Sequence, residues 1–305
     1  MSRSPKSGSA PTSAEAGTEN TENRVRRARR TPQKTTEFAG ALMTTDYGKL
    51  TWEEVRDADK DRVVILNVSA TEDHGPHMPL DTDTVLGMAV ANGVAEAAPD
   101  EVFVMPPVPY GFNEHHKDFP GVIWIQPETL IAFVTDITKS LAHHGFRRIL
   151  LLNSHGSNHP VLDLAARKTV IETGIICVSA SYWNLCADRV NEIRKSEVGG
   201  IAHAGEFEAA MYMHLQPEHV DLSKAANQNL HDPNTKFFNL DLAKGGGKAM
   251  LMRWWSEASP DGTMGDPTVA TPETGAAFLR AAVEETTALV REIRALPILT
   301  RTDHH

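Results

Sequence analysis

Four short apolar runs alternate with three longer amphipathic segments, and this alternation limits most strongly what the chain can fold into. The runs are rich in Val, Ile or Leu, as buried strands are. Strands are predicted at residues 62–68, 102–108, 147–153 and 175–181. Helices are predicted at residues 83–98, 128–144 and 159–173. Such alternation predicts an α/β fold with a mostly parallel sheet and helices on both faces.

The chain divides by composition into a tail and a body. Residues 1–40 are rich in Ser, Thr, Pro and Arg and nearly lack large apolar side chains. Such a segment cannot bury enough apolar surface to offset the entropy lost on ordering. We therefore predict a disordered tail over 1–40 and a single α/β domain over 41–305.

Charge and hydropathy exclude several classes of protein. Residues 1–35 hold eight Lys/Arg against three Asp/Glu, which leaves 22 against 37 for the rest of the chain. An acidic body argues against a nucleic-acid-binding surface. The sequence shows neither an apolar run that could span a bilayer nor a secretory signal, so we expect a cytoplasmic protein without a membrane partner. The two cysteines, Cys177 and Cys186, indicate neither a disulfide framework nor a thiolate zinc site.

A dense group of ionisable residues follows the first predicted strand, within the stretch ATEDHGPHMPLDTDT. Glu72 and His74 are two positions apart, so both side chains point to the same side if the backbone is extended. Asp83 begins the next predicted helix and could return a carboxylate to the same place. Imidazole nitrogens and carboxylate oxygens hold divalent metals in hydrolases, and one carboxylate can bridge two ions. Glu72, His74 and Asp83 are therefore predicted metal ligands, although Asp83 is equally suited to cap the helix.

Two further polar clusters lie near strand or helix ends, where ligands bind in open α/β sheets. In NSHGSNH, His155 is a candidate third ligand, and Asn158 either orients the loop or caps the following helix. In HAGEFE, Glu206 and Glu208 lie in the first turn of a predicted helix, where the helix dipole also favours acidic residues. His203 lies before that helix and could move protons, because imidazole titrates near neutral pH.

The order and spacing of five segments resemble the creatininase (creatinine amidohydrolase) family across residues 47–295. The segments are TEDHGPHMPLDTDT, EHHKDFPG, NSHGSNH, HAGEFE and GTMGDPTVATPETG. The resemblance implies a three-layer α/β/α fold and two divalent metal ions per chain, which are zinc, manganese or iron. It also implies hydrolysis of non-peptide C–N bonds in a small-molecule amide and assembly as a homo-oligomer, commonly a hexamer.

The same resemblance assigns roles by motif position. Glu72, Asp83 and His155 would hold one metal, and His74 with the bridging Asp83 would hold the other. His203 corresponds to the catalytic histidine, which handles protons around the substrate.

One position departs from the family pattern. In creatininase the histidine of the NSHGSNH segment is followed by Tyr-Glu, and that glutamate completes the second metal site. Here the two positions are Gly156 and Ser157. Glu206 is predicted to supply the missing carboxylate, with Glu208 as the second choice. Glu208 is also a catalytic candidate beside His203.

The resulting hypothesis is a binuclear amidohydrolase that hydrolyses a small, cyclic amide of the creatinine or lactam type. Two cations would share a hydroxide that attacks the amide carbonyl, while His203 donates a proton to the departing nitrogen. Two alternatives use the same metal centre, namely a formamide deformylase and a peptide-processing hydrolase. A third alternative is a non-catalytic assembly module that retains the fold, which Ser157 in place of a ligand would favour.

For several residues near the predicted site, two interpretations of their role stay open. His116 either lines the pocket or braces it, and His77 either supports the ligands or contacts substrate. Asp73 and Asp81 are predicted to be bystanders. The segment 226–262 forms either a lid or a contact between subunits, and the aromatic residues available for a pocket wall are Trp183, Trp254 and Trp255.

Overall fold

The computed structural model describes residues 44–232, 234–244 and 248–305. The predicted tail over 1–40 lies outside the described residues, and the extent of a single domain over 41–305 stays a prediction. No helix in the three described ranges is long and apolar enough to cross a membrane.

A parallel sheet of four strands forms the centre of the fold. The strands are β1 (Val63–Val68), β2 (Val102–Val104), β3 (Arg148–Asn153) and β4 (Ile176–Ser181). Their order in the sheet is β2-β1-β3-β4, and every pairing is parallel. Val68 pairs with Asn153, which pairs with Ser181, so the carboxyl ends of three strands meet at one edge.

Helices surround this sheet. Those in the described residues are α1 (Trp52–Asp57), α2 (Thr82–Ala97), α3 (Pro127–His143), α4 (His159–Thr173), α5 (Tyr182–Leu185), α6 (Ala187–Ile193), α7 (Glu206–Leu215), α8 (Trp255–Ala258) and α9 (Pro272–Ala295).

The alternation of side chains along each strand divides the core into two layers. Ile65 packs into the core that α2, α7 and α9 share, whereas its neighbour Leu66 packs into the core of α3 and α4. Because successive strand residues point to opposite faces, β1 and β3 are apolar at almost every position. The result is the three-layer α/β/α fold that the sequence predicted.

The predicted elements form with small shifts at their ends. The second strand is shorter than predicted because Pro106 and Pro107 have no N–H to donate to the ladder. Pairing resumes at Val108, whose N–H donates to the Asn67 carbonyl at 2.9 Å. Helix α4 ends as predicted at Gly174, which adopts a left-handed φ of +73°.

Candidate metal centre

The loop after β1 and the start of α2 converge at the carboxyl edge of the sheet. Glu72, His74 and Asp83 are almost completely buried there. Gly75 has a φ of +67°, and a Cβ at this position would overlap the Thr263 hydroxyl. Only glycine therefore fits the turn that separates His74 from the rest of the loop. The first turn of α2 then brings Asp83 back beside Glu72 and His74.

Three side chains form a first group at the ends of β1 and β3. His155 Nδ1 lies 2.9 Å from Glu72 Oε1 and 3.4 Å from Asp83 Oδ2. One ligand atom from each of the three residues lies within 4.8 Å of the others, a spacing that suits one metal ion. These are the three residues that the family resemblance assigns to one metal.

A second group shares Asp83 with the first. His74 Nε2 lies 3.3 Å from Asp83 Oδ1 and 3.9 Å from Glu208 Oε2. Ligand atoms of His74, His203 and Glu208 also lie within 4.8 Å of one another. The two oxygens of Asp83 thus face different groups, Oδ2 toward His155 and Oδ1 toward His74. A carboxylate in this position can bridge two cations.

Glu206 does not belong to either group, which corrects the prediction that it completes the second metal site. Its two carboxylate oxygens accept hydrogen bonds from the backbone N–H groups of Lys195 and Ser196, each at 2.8 Å. Positions 206 and 208 are separated by about 200° around a helix, so both cannot face the same pocket. Glu206 anchors the turn that follows α6, and Glu208 faces His74.

Several buried side-chain atoms at the site lack a hydrogen-bond partner, which fits residues that hold a cation. Both oxygens of Glu72, Asp83 Oδ2 and His74 Nε2 are buried without a hydrogen-bond partner within the described residues. Glu72 Oε1 is close to His155 Nδ1, but the two are not aligned as a hydrogen bond. Burying unpaired carboxylate oxygens is costly unless another partner compensates. Oxygen and imidazole donors of this kind fit zinc, manganese or iron.

The electrostatics of the pocket favour positive charge at the same positions. Burial alone would lower the pKa of His74, but the charge and hydrogen bond of Asp83, together with the charges of Glu208 and Glu72, outweigh it and raise the pKa to about 10. Burial is likewise outweighed at His155, where Glu72 and Asp83 raise the pKa well above its ordinary value. Burial raises the pKa of Glu208 to about 7, against the opposing charge of His74. The carboxylates thus favour positive charge beside both imidazoles.

A hydrogen bond at one ring nitrogen fixes the side chain of His203 and leaves its other ring nitrogen free of hydrogen bonds. Its Nε2 donates a hydrogen bond to the Asp73 carbonyl at 2.7 Å, because a carbonyl oxygen can only accept. Its Nδ1 faces Glu72 Oε1 at 3.7 Å. Burial, and then the charge of His74, lower the pKa of His203 well below its ordinary value. Because Nε2 carries the proton of the bond to Asp73, Nδ1 is the nitrogen available to accept a proton.

Asp73 takes part in the site, contrary to its prediction as a bystander. Its Oδ1 lies 2.8 Å from His116 Nδ1. Burial, with the added charge of Glu72, raises the pKa of Asp73 to about 7. Glu72, His116 and His203 form a third group with ligand atoms within 4.8 Å. His116 therefore braces the pocket through Asp73, and no sequence pattern pairs positions 73 and 116.

Of the three tryptophans considered for a pocket wall, Trp255 lies beside the site. Its ring stacks on His116 with centroids 4.3 Å apart and meets His203 edge-on at 5.1 Å. Its indole N–H donates to the Gly262 carbonyl at 3.2 Å, which ties the ring to its own segment. Trp183 instead packs in the core, and the Lys117 ammonium lies over the ring of Trp254.

The NSHGSNH loop is held by its polar side chains. Asn158 Oδ1 accepts from the Phe112 N–H at 2.9 Å, and its amide donates to the Ser69 carbonyl at 3.1 Å. Because Asn158 makes no capping bond, loop orientation is the correct one of its two interpretations. The Ser157 hydroxyl pairs with His115 Nε2 at 3.1 Å and not with the metal-ligand groups.

Comparison with known proteins identifies the family. The family profile described as creatinine amidohydrolase matches residues 48–290. The creatinine amidohydrolase of Pseudomonas putida is 35% identical over 206 residues, which cover 62% of this chain and 77% of the relative. A mycofactocin precursor peptide peptidase of Mycobacterium ulcerans is 31% identical over 219 residues, covering 70% and 78%.

A solved structure supports the same assignment. A creatininase variant of the Zn–Zn type has 27% sequence identity and a TM-score of 0.69, covering 82% of this chain and 98% of that chain. This chain therefore shares its α/β/α fold with a creatininase, and its acid–histidine groups lie at the carboxyl edge of the sheet. This chain belongs to the creatininase family and is a hydrolase that acts on C–N bonds.

Proposed function

We propose that the protein is a binuclear metal-dependent amidohydrolase. The observation that carries this proposal is the position of Asp83, whose two oxygens face His155 on one side and His74 on the other. Such an arrangement does not stabilise the fold by itself, because carboxylate oxygens of Glu72 and Asp83 are buried there without hydrogen-bond partners. It is well suited to hold two cations close together.

The ligand sets follow from the two groups. Glu72, Asp83 and His155 would hold the first ion. His74 would hold the second, together with Asp83 and Glu208, whose oxygens lie 3.3 and 3.9 Å from His74 Nε2. Glu208 thus replaces Glu206 in the second set and supplies the carboxylate that Ser157 cannot. The second site is complete in this assignment, which removes the reason for a non-catalytic module.

The chain's own residues can supply the proton transfers. Bound divalent metals would lower the pKa of water and polarise an amide carbonyl. His203 Nδ1 is positioned to take the proton released when water attacks and to deliver it to the departing nitrogen, which is otherwise a poor leaving group. The Asp73 carbonyl keeps the His203 ring in the required tautomer.

We propose a small, cyclic amide as substrate, as the family resemblance implies. The aromatic wall formed by Trp255 against His116 and His203 is suited to a flat molecule. The same resemblance supports a homo-oligomer of hexameric size, which mass photometry of the purified protein measures directly.

A peptide-processing or deformylase reaction is the second candidate, and one observation favours it. A Cβ placed on Gly156 would have no atom within 4 Å, so the loop beside His155 leaves open space. In creatininase the corresponding position carries a tyrosine. The wider opening would admit a longer substrate to the same metal centre.

Metal analysis with a substrate panel tests both candidates. We expect two ions per chain after loading with Zn²⁺ or Mn²⁺, and hydrolysis of at least one compound among lactams, hydantoins, formamides and short peptides. Chelation should abolish that hydrolysis, and added metal should restore it. Zero or one ion in folded protein would contradict the binuclear assignment, and the chemical class of the compound hydrolysed decides between the two substrates.

A further inference from the structure

Ala204, directly after His203, has a left-handed backbone. Its φ of +55° is the one positive value outside glycine among the described residues. Side chains with a Cβ disfavour this conformation, so the surroundings must hold Ala204 in it. The interactions of this peptide unit therefore bear on how His203 is positioned.

Both polar groups of Ala204 are held by buried side chains. Its N–H donates to Glu208 Oε2 at 2.6 Å. Its carbonyl accepts a hydrogen bond from His77 Nε2 at 3.1 Å. His77 and Ala204 are 1% and 0% exposed, so water does not compete for either bond.

The side chain of His77 makes no other hydrogen bond in the described part of the chain. Because a carbonyl can only accept, His77 carries its proton on Nε2. Its Nδ1 is buried without a hydrogen-bond partner there. The hydroxyl of Thr263, which is also unpaired, lies on the same side of Gly75. A buried imidazole nitrogen without a partner is unfavourable, which points to the value of the bond made at the other nitrogen.

The Ala204 peptide connects two parts of the site. Glu208 Oε2, which accepts from Ala204, lies 3.9 Å from His74 Nε2. His203, the residue before Ala204, carries the free nitrogen that faces Glu72. A change in the backbone at Ala204 would therefore move His203 and displace the carboxylate of Glu208 together.

We propose that His77 is a positioning residue that holds the Ala204 peptide in its left-handed conformation. Through this peptide it sets Glu208 toward His74 and orients His203. The inference rests on the proposed function, because it concerns the second ligand group. It also decides between the two sequence-based interpretations of His77, in favour of support for the ligands.

Paired substitutions at position 77 test the hydrogen bond itself. His77→Leu removes the donor, whereas His77→Gln retains an N–H near the position of Nε2. With Zn²⁺ alone as the probe, H77L should bind one ion with wild-type affinity and the other about 10–100-fold more weakly. H77Q should stay within about threefold of wild type, as the donor is what matters. Thr263→Val is the matched control, since it removes an unpaired hydroxyl beside His77 and should change neither affinity.

Substitutions at position 204 test the backbone conformation independently. Glycine adopts positive φ without penalty, so A204G should restore much of the lost Zn²⁺ affinity in the H77L protein. A β-branched side chain opposes this conformation, so A204V with His77 intact should weaken the same ion as H77L does. Cobalt substitution gives a second readout, because the visible spectrum of bound Co²⁺ should change in H77L and return in the double variant.

The results separate this inference from the proposed function. Equal affinity of H77L and wild type for both ions overturns the role of His77, and so does an H77Q protein as impaired as H77L. If H77L does not fold, His77→Asn takes its place, since its shorter amide does not reach the Ala204 carbonyl. Failure of the unmodified protein to bind two ions would instead count against the binuclear centre.

Discussion

Substitution of Glu208 and Glu206 by glutamine should separate metal binding from folding. Glu208→Gln removes a carboxylate that lies 3.9 Å from His74 Nε2, while the new amide oxygen can still accept from Ala204. A unit charge about 4 Å from another contributes about 4 kcal/mol at an effective dielectric of 20. Loss of this charge should therefore weaken one ion at least about 10³-fold.

Glu206→Gln is the matched control two positions away. Its carboxylate accepts two backbone N–H bonds at 2.8 Å, and glutamine replaces one acceptor with a donor. Loss of a buried hydrogen bond to a charged group costs about 1.5–3 kcal/mol, which should lower Tm by roughly 3–12 °C. Metal content should stay at the wild-type value.

Two measurements on each variant decide whether Glu206 or Glu208 is the metal ligand. Metal content after equilibration against a competing chelator reports the affinity, and calorimetry of the metal-free protein reports stability. A Glu206→Gln protein that loses an ion while the Glu208→Gln protein keeps both would refute this assignment and restore the one made from sequence.

Three further substitutions probe the surroundings. Asp73→Asn removes the charge that pairs with His116 at 2.8 Å; activity on a compound found by the panel should fall about 10–100-fold with metal content unchanged, and loss of metal instead would show that Asp73 is a ligand. Trp255→Ala removes the ring stacked on His116 and should raise KM more than it lowers kcat, whereas an unchanged KM would exclude Trp255 from the substrate pocket. Gly275→Ala places a Cβ into the Ala210 carbonyl where α9 meets α7, so it should destabilise the fold by about 1–3 kcal/mol in chemical denaturation, and wild-type stability would contradict that close contact.

The sequence predicted the sheet and its site edge because those features depend on local patterns. Val63–Val68 and Arg148–Asn153 are apolar at nearly every position, and polar clusters follow both strands. Parallel strands bring such carboxyl ends to one edge whatever the loops do. That geometry brings His155 to the same edge as Glu72 and Asp83, whereas their assignment to one metal came from the family resemblance.

The choice between Glu206 and Glu208 depended on rotation of α7 about its axis. Both residues occupy the first helical turn, where either would be favoured by the helix dipole. The rotation is fixed by distant contacts, among them Phe207 against Phe278 and the turn at Lys195 that Glu206 holds. No local pattern in HAGEFE contains that information.

Anomalous diffraction from crystals of the zinc-loaded protein tests the central claim most directly. The account predicts two peaks in each chain, one on either side of Asp83, with Glu72 and His155 at the first and His74 and Glu208 at the second. One peak, or two peaks that do not share Asp83, would contradict the binuclear centre.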